Sequence, residues 1–180
     1  MYKIVGVDLA GVESRPSGLS IMNAHKVSLK VFKTDRELLK VIELARPLLV
    51  SIDAPLSLPL KGFWRDVDKL MLKRGLRVLP PGIPGMLKLT RRAVKLKRMI
   101  DSLGVDVIEV HPTSSLRVLG IPREKFLVFL RKRGFVVEGT VNNHTIDAAV
   151  AAYTGLLYLT GRVERVQGKE GEIIIPKKRL

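Results

Sequence analysis

Four carboxylates sit in stretches where ionised side chains are costly. Asp8 ends IVGVD, Asp53 ends LVSID, Glu109 lies inside VIEVHP and Asp147 lies in NNHTIDAAVAA. A buried carboxylate destabilises a fold unless a partner compensates it. Taken singly, Asp53 before Ala54-Pro55 can cap a turn and Asp147 can support a helix start. Together, at the ends or middles of apolar segments, they point to one shared site. If the segments of Asp8 and Asp53 are neighbouring strands, their backbones lie about 5 Å apart. Two carboxylates that close repel unless one keeps its proton or a cation intervenes. The chain has no cysteine, and ligation by oxygen alone suits Mg²⁺ or Mn²⁺ rather than structural zinc. Asp8, Asp53, Asp147 and Glu109 are therefore the candidate metal ligands. Strand alternation places Val107, Glu109 and His111 on one face. Helical spacing places His144 one turn before Asp147 on the same face. Either histidine could move a proton or touch a phosphate; a helix-start or satisfied core histidine is the plainer alternative.

A second feature is charge. The 180 residues hold 32 Lys and Arg against 17 Asp and Glu, a net charge of +15. Such a surplus favours a polyanionic partner, nucleic acid first. A heat-adapted surface is the alternative, but that trend usually raises Glu as well. Aromatic residues are only 5% of the chain, so base stacking is not expected to be the main grip. Arg91, Lys95 and Arg98, with Arg92 beside them, form a basic ridge on a strongly amphipathic segment, and Arg15 in the turn RPSG could add to it. A charged helix face is often merely solvated.

Placing these residues requires a particular set of elements. Residues 2–10, 19–24 and 27–32 read as strands with short connections, hence antiparallel. Thr34 with Glu37 is a capping box for a helix ended by Pro47. Residues 48–54 form a fourth, central strand. Helices follow over 64–74 and 89–103, separated by the loop VLPPGIPGM, with Pro80 to Gly85 shaping a substrate entrance. Residues 105–110 form a fifth strand and 122–132 a helix. Asn143 caps a long helix over 145–159, and two short strands, 163–166 and 172–175, finish the chain. The expectation is a single α/β domain. It has a mixed five-stranded sheet, three antiparallel strands followed by α/β alternation, flanked by helices and extended by a small C-terminal β addition. The segment 148–159 falls short of the ~20 residues that cross a bilayer. The first residues lack a basic segment followed by an apolar run. A cytoplasmic protein without membrane contact is expected.

The phrases GVDLAG, RPSG, SIDAPLSLP, LPPGIPGM, LTRR, EVHPTSSLRVLG and HTIDAAVAA resemble those of a family of predicted nucleases of ribonuclease H-like fold. The strand order and the acids at Asp8, Asp53 and Asp147 also look like that superfamily, which includes ribonuclease H, Holliday-junction resolvases and integrases. The resemblance implies hydrolysis of phosphodiesters of DNA or RNA with two Mg²⁺ or Mn²⁺ ions. In it Asp8 would bridge both ions, Asp53 and Glu109 would flank one, and Asp147 the other. Glu109 departs from the ribonuclease H pattern, where strand five usually gives no ligand, and could instead orient Arg91 or Arg92.

Two rival functions remain at this level. Actin-like ATPases share this strand core, and GVDLAG resembles their first phosphate loop, but they need two lobes; no G-x-x-x-x-G-K-[ST] loop offers another nucleotide site. A non-catalytic nucleic-acid-binding module would keep the same acids as structural groups. Oligomeric state is left open, with a homodimer admitted.

Overall fold

The computed structural model describes residues 2–178. Eight strands and six α-helices follow in the order β1 (Ile4–Asp8), β2 (Ser17–Met22), β3 (Lys26–Phe32), α1 (Asp35–Ala45), β4 (Leu49–Asp53), α2 (Asp66–Lys73), α3 (Pro84–Asp101), β5 (Asp106–Glu109), α4 (Pro112–Leu119), α5 (Phe126–Lys132), β6 (Val136–Gly139), α6 (Asn143–Leu159), β7 (Val163–Gly168) and β8 (Gly171–Pro176). A 3₁₀ turn, Arg123–Lys125, leads directly into α5. The main sheet has six strands in the order β5-β4-β1-β2-β3-β6. β2 is antiparallel to β1 and to β3, while β4 is parallel to β1 and to β5.

The mixed α/β architecture agrees with the sequence pattern, and the sheet gains one strand over the five expected. β6 pairs parallel with β3 at the sheet edge. Its four residues, VVEG, are mostly exposed, so they carry no apolar alternation to announce a strand. β7 and β8 form the expected C-terminal hairpin, which meets the main sheet through a bridge between Val110 and Ile174.

β1 lies between two cores, which explains its unbroken apolar run. Ile4 faces a cluster with Met22, Leu49, Phe126, Ala152 and Tyr153 under α4, α5 and α6. Val5 and Val7 face the opposite cluster with Ile52, Leu38, Ala93 and Leu96 under α1 and α3. A third cluster joins α2 to the hairpin through Val67, Met71, Val166 and Ile173. The Thr34–Glu37 capping box starts α1 as expected. α3 begins earlier than its periodicity suggests, because Pro84 occupies the first turn and tolerates the absence of an amide donor there. α6 is capped by Asn142 rather than Asn143, and the Asn142 carboxamide accepts from the Thr145 amide at 2.9 Å. No described helix is long and apolar enough to cross a membrane.

Candidate functional site

β1 and β4 run parallel in a register that pairs Asp8 with Asp53 at their C-terminal ends. Side chains opposite one another in a parallel pair share a face, so both carboxylates lie on the α6 side of the sheet. The strand arrangement turns two distant acids into neighbours.

Helix α6 supplies the next two groups. Its alanine-rich face lies directly on β1 and β2, and glycine makes that approach possible. A Cβ at Gly6 would overlap the Ala148 carbonyl oxygen, and one at Gly18 would overlap that of His144. Gly18 is also the β2 partner of Asp8. The tight docking brings His144 within 2.7 Å of Asp8, Nδ1 to Oδ2. An ionised carboxylate only accepts, so Nδ1 carries the proton. Asp147 lies 2.9 Å from Arg123, Oδ1 to Nε. That contact is an ion pair without a well-aligned hydrogen bond, and both atoms are buried with no other partner among the described residues. Arg123 has no signature in the sequence beyond its place after Pro122.

The electrostatics are those of crowded acids. Burial pushes Asp53 well above the usual carboxylate range, and Asp8, Asp147 and Glu109 add repulsion. Burial raises Asp8, opposed by its bond from His144. Burial also raises Asp147, to about 6, against the pull of Arg123. Among the described residues, no three His, Asp or Glu side chains already stand close enough to share one ion. Two acids are occupied instead by His144 and Arg123, whereas Asp53 has no hydrogen bond opposing its rise.

Glu109 is placed differently from the other three. It pairs in register with Ile52, which puts it on the sheet face opposite Asp8 and Asp53. It orients neither Arg91 nor Arg92. Its partner is Arg65, a buried residue just before α2, with Oε1 2.6 Å from Nη2 and Oε2 2.8 Å from Nη1. Asp68 takes two further guanidinium bonds and Ser57 the last, so all five donors of Arg65 are used. The Leu56 amide also donates to Glu109 at 2.8 Å. The network fixes the chain after β4, and its only sequence trace is the Arg-x-x-Asp spacing of FWRDVD. Glu109 still lines the same cleft as Asp8 and Asp53, which wraps over the end of the sheet. His111 lines it too. Its Nδ1 accepts from the Ser114 amide at 3.2 Å and lies 2.8 Å from the Ser114 hydroxyl. Burial pulls its pKa down to about 4, so the ring is neutral with its proton on Nε2.

The basic residues divide. Arg91, Lys95 and Arg98 are exposed along α3, and Lys88 extends the row by one turn. The row starts beside the cleft, because Met86 and Leu89 of the same helix line it. Arg92 does not belong to it. One residue on from Arg91 turns ~100° around the helix, and Arg92 is buried. There it bonds Asp35 at 2.8 Å, the Ala10 carbonyl at 2.7 Å and the Lys33 carbonyl at 3.0 Å. Burial and those bonds hold it away from the exposed row. Arg15 is exposed in the turn before β2.

A comparison with protein-family models and with curated protein sequences yields no match. Among solved structures, the chain is similar to RuvC of T. thermophilus in complex with Holliday junction substrate. The TM-score is 0.54 and the identity 19%, over 96% of this chain and 99% of that one. The chain thus has the ribonuclease H-like fold, with Asp8 and Asp53 at the ends of its central strands and His144 and Asp147 at the start of α6.

Proposed function

We propose that the protein is a divalent-metal-dependent nuclease that hydrolyses phosphodiester bonds of nucleic acid, and that it belongs with the predicted nucleases its motifs resemble. The observation that carries this reading is the in-register pair Asp8 and Asp53, met on the same face of the sheet by the first turns of α6. The donor set fits a hard cation. It consists of carboxylate oxygens that repel one another, and it includes a buried Asp147 oxygen with no aligned hydrogen bond. Asp8, Asp53 and Asp147 would hold Mg²⁺ or Mn²⁺, two ions in the arrangement the motifs imply, once Asp147 leaves Arg123. When bound, such ions lower the pKa of water and stabilise charge on phosphoryl oxygens.

The chain supplies the rest. Asp8 orients His144, whose Nδ1 is committed to that bond. The other ring nitrogen, Nε2, is then the basic one, suited to take the proton of an attacking water. As the water oxygen bonds phosphorus, the leaving oxygen departs with the electron pair of its P–O bond. Glu109, spent on Arg65 and the Leu56 amide, holds the cleft in shape. The row Lys88, Arg91, Lys95 and Arg98, with Arg15, contributes phosphate contacts, in keeping with the net charge of +15. The RuvC likeness supports the reading through its fold, and that protein was seen with a Holliday junction.

The test combines calorimetric Mn²⁺ titration with cleavage of a panel of single-stranded, duplex and branched DNA and RNA. Saturable Mn²⁺ binding and cleavage, both lost in Asp8→Asn, are expected. Salt-sensitive nucleic-acid binding that survives Asp8→Asn, without saturable metal, would instead identify a non-catalytic module. The self-paired state of Asp8 and Asp147 is the observation that favours that second reading.

A further inference from the structure

The cleft next to the carboxylates has a composition that the nuclease reading does not by itself explain. It encloses about 200 Å³. Asp8 and Asp53 form one end, while Val78, Leu79, Met86, Leu89 and Ile173 form apolar walls. Among the described residues, the one cation in the lining is Arg65, and every guanidinium donor it has is bonded to Asp68, Glu109 or Ser57. Beyond the Asp8–Asp53 end, where a bound cation would sit, a phosphate would meet apolar walls and an Arg65 already spent on its own carboxylates, losing hydration without a compensating charge. His111, also in the lining, offers its Nε2–H as a donor, fixed by the Ser114 bonds to Nδ1. Leu79, one of these wall residues, is 62% exposed, and Phe63, 58% exposed, lies on a neighbouring loop. The loops carrying them are tied by a 2.9 Å bond from the Gly82 amide to the Phe63 carbonyl.

Resting on the nuclease reading, we propose that this cleft receives one unpaired nucleobase, so the substrate is a strand with an unstacked nucleotide beside the scissile phosphate. A base is the uncharged, flat part of a nucleotide and suits apolar walls with one fixed donor. The phosphate stays at the mouth, between the acids and the start of the Lys88–Arg91 row. The volume admits a single base and not a base pair. A perfect duplex must therefore be opened first, at a cost that a bulge or single strand avoids.

The test uses three oligonucleotides of one sequence with 2-aminopurine at one position: a single strand, a perfect duplex, and a duplex in which that nucleotide lacks a partner. With Mn²⁺, the single strand and the bulged duplex are expected to be cut beside the 2-aminopurine at least about tenfold faster than the perfect duplex. The 2-aminopurine fluorescence should change on binding. Val78→Trp, which fills the cleft, should abolish both effects. Leu79→Ser, at an exposed position that folding tolerates, should weaken them. Equal cutting of the perfect duplex, abolished by Asp8→Asn, overturns the pocket and leaves the nuclease reading standing. If nothing is cut, the nuclease reading falls, and a fluorescence response unaffected by both variants overturns the pocket as well.

Discussion

His144 Nδ1 donates to Asp8 Oδ2 at 2.7 Å, joining the first strand to the first turn of the last long helix. Gly18 permits the contact, because a Cβ there would overlap the His144 carbonyl oxygen. Backbone cannot move aside as a flexible side chain can. Gly18→Ala is expected to cost roughly 1–3 kcal/mol in urea unfolding, as overpacking does. It should also lift His144 and Asp147 away from Asp8 and lower cleavage more than stability explains. An unchanged unfolding midpoint would refute the tight docking of α6.

Asp53 is destabilising in the metal-free protein, through burial first and its acidic neighbours second. Asp53→Asn removes that charge. The metal-free variant should melt higher, with about 2–4 °C gained per kcal/mol relieved in a chain of this size. Its response to Mn²⁺ should vanish. A lower melting temperature would contradict the account of crowded acids.

Asp147 gives a pH dependence of definite sign. Its pKa rises from 3.8 unfolded to about 6 folded. Between those values the native state holds a proton that the unfolded state has lost, so this group's contribution to stability falls as pH rises through that window. Under the proposed function, Mn²⁺ would compete with the same proton. Thermal stabilisation by Mn²⁺ should be large at pH 7.5 and small at pH 5, and equal shifts at the two values would exclude Asp147 as a ligand.

Substitutions at Arg65 and Glu109 test which acids are structural and which would bind metal. Arg65→Met leaves Glu109 and Asp68 buried without their counter-charge, a loss expected at about 3–5 kcal/mol. Glu109→Gln keeps part of the hydrogen bonding and should leave Mn²⁺ affinity unchanged. If it weakens Mn²⁺ as much as Asp53→Asn does, Glu109 belongs to the metal set after all.

The arginine pair at 91 and 92 predicts opposite phenotypes for adjacent residues. Replacing Arg91, Lys95 and Arg98 together by Gln should weaken nucleic-acid binding and flatten its salt dependence by about one unit of slope per lost phosphate contact. Stability should hardly change. Arg92→Gln should destabilise the protein and leave the salt slope as it was. Equal salt slopes in the two variants would mean that the exposed row does not touch phosphate.

What the sequence revealed follows from the range of the signals involved. Asp8 and Asp53 stand out because a carboxylate breaks an apolar run, a local pattern needing no knowledge of partners. Asp147 and His144 share a helix face, again a local fact. The side of the sheet taken by Glu109 depends on how β5 registers against β4, which no single segment encodes. Only the Asp68 half of the Arg65 network leaves a local trace, for its other carboxylate is 44 positions away. Arg92 looked like a ridge residue because it adjoins Arg91, whereas a helix turns neighbours to different environments. The short edge strand β6 has too few residues, and too much exposure, to show a period.

The bridge from Val110 to Ile174 has a consequence for solubility. It lays the C-terminal hairpin along the β5 side of the main sheet, where unpaired amides and carbonyls would otherwise invite another chain. The opposite border ends in the brief β6, carrying the Lys26–Glu138 ion pair at 2.6 Å. Both borders are thus poor templates for strand addition. Removing the hairpin should make the protein prone to self-association before any effect on chemistry could be read.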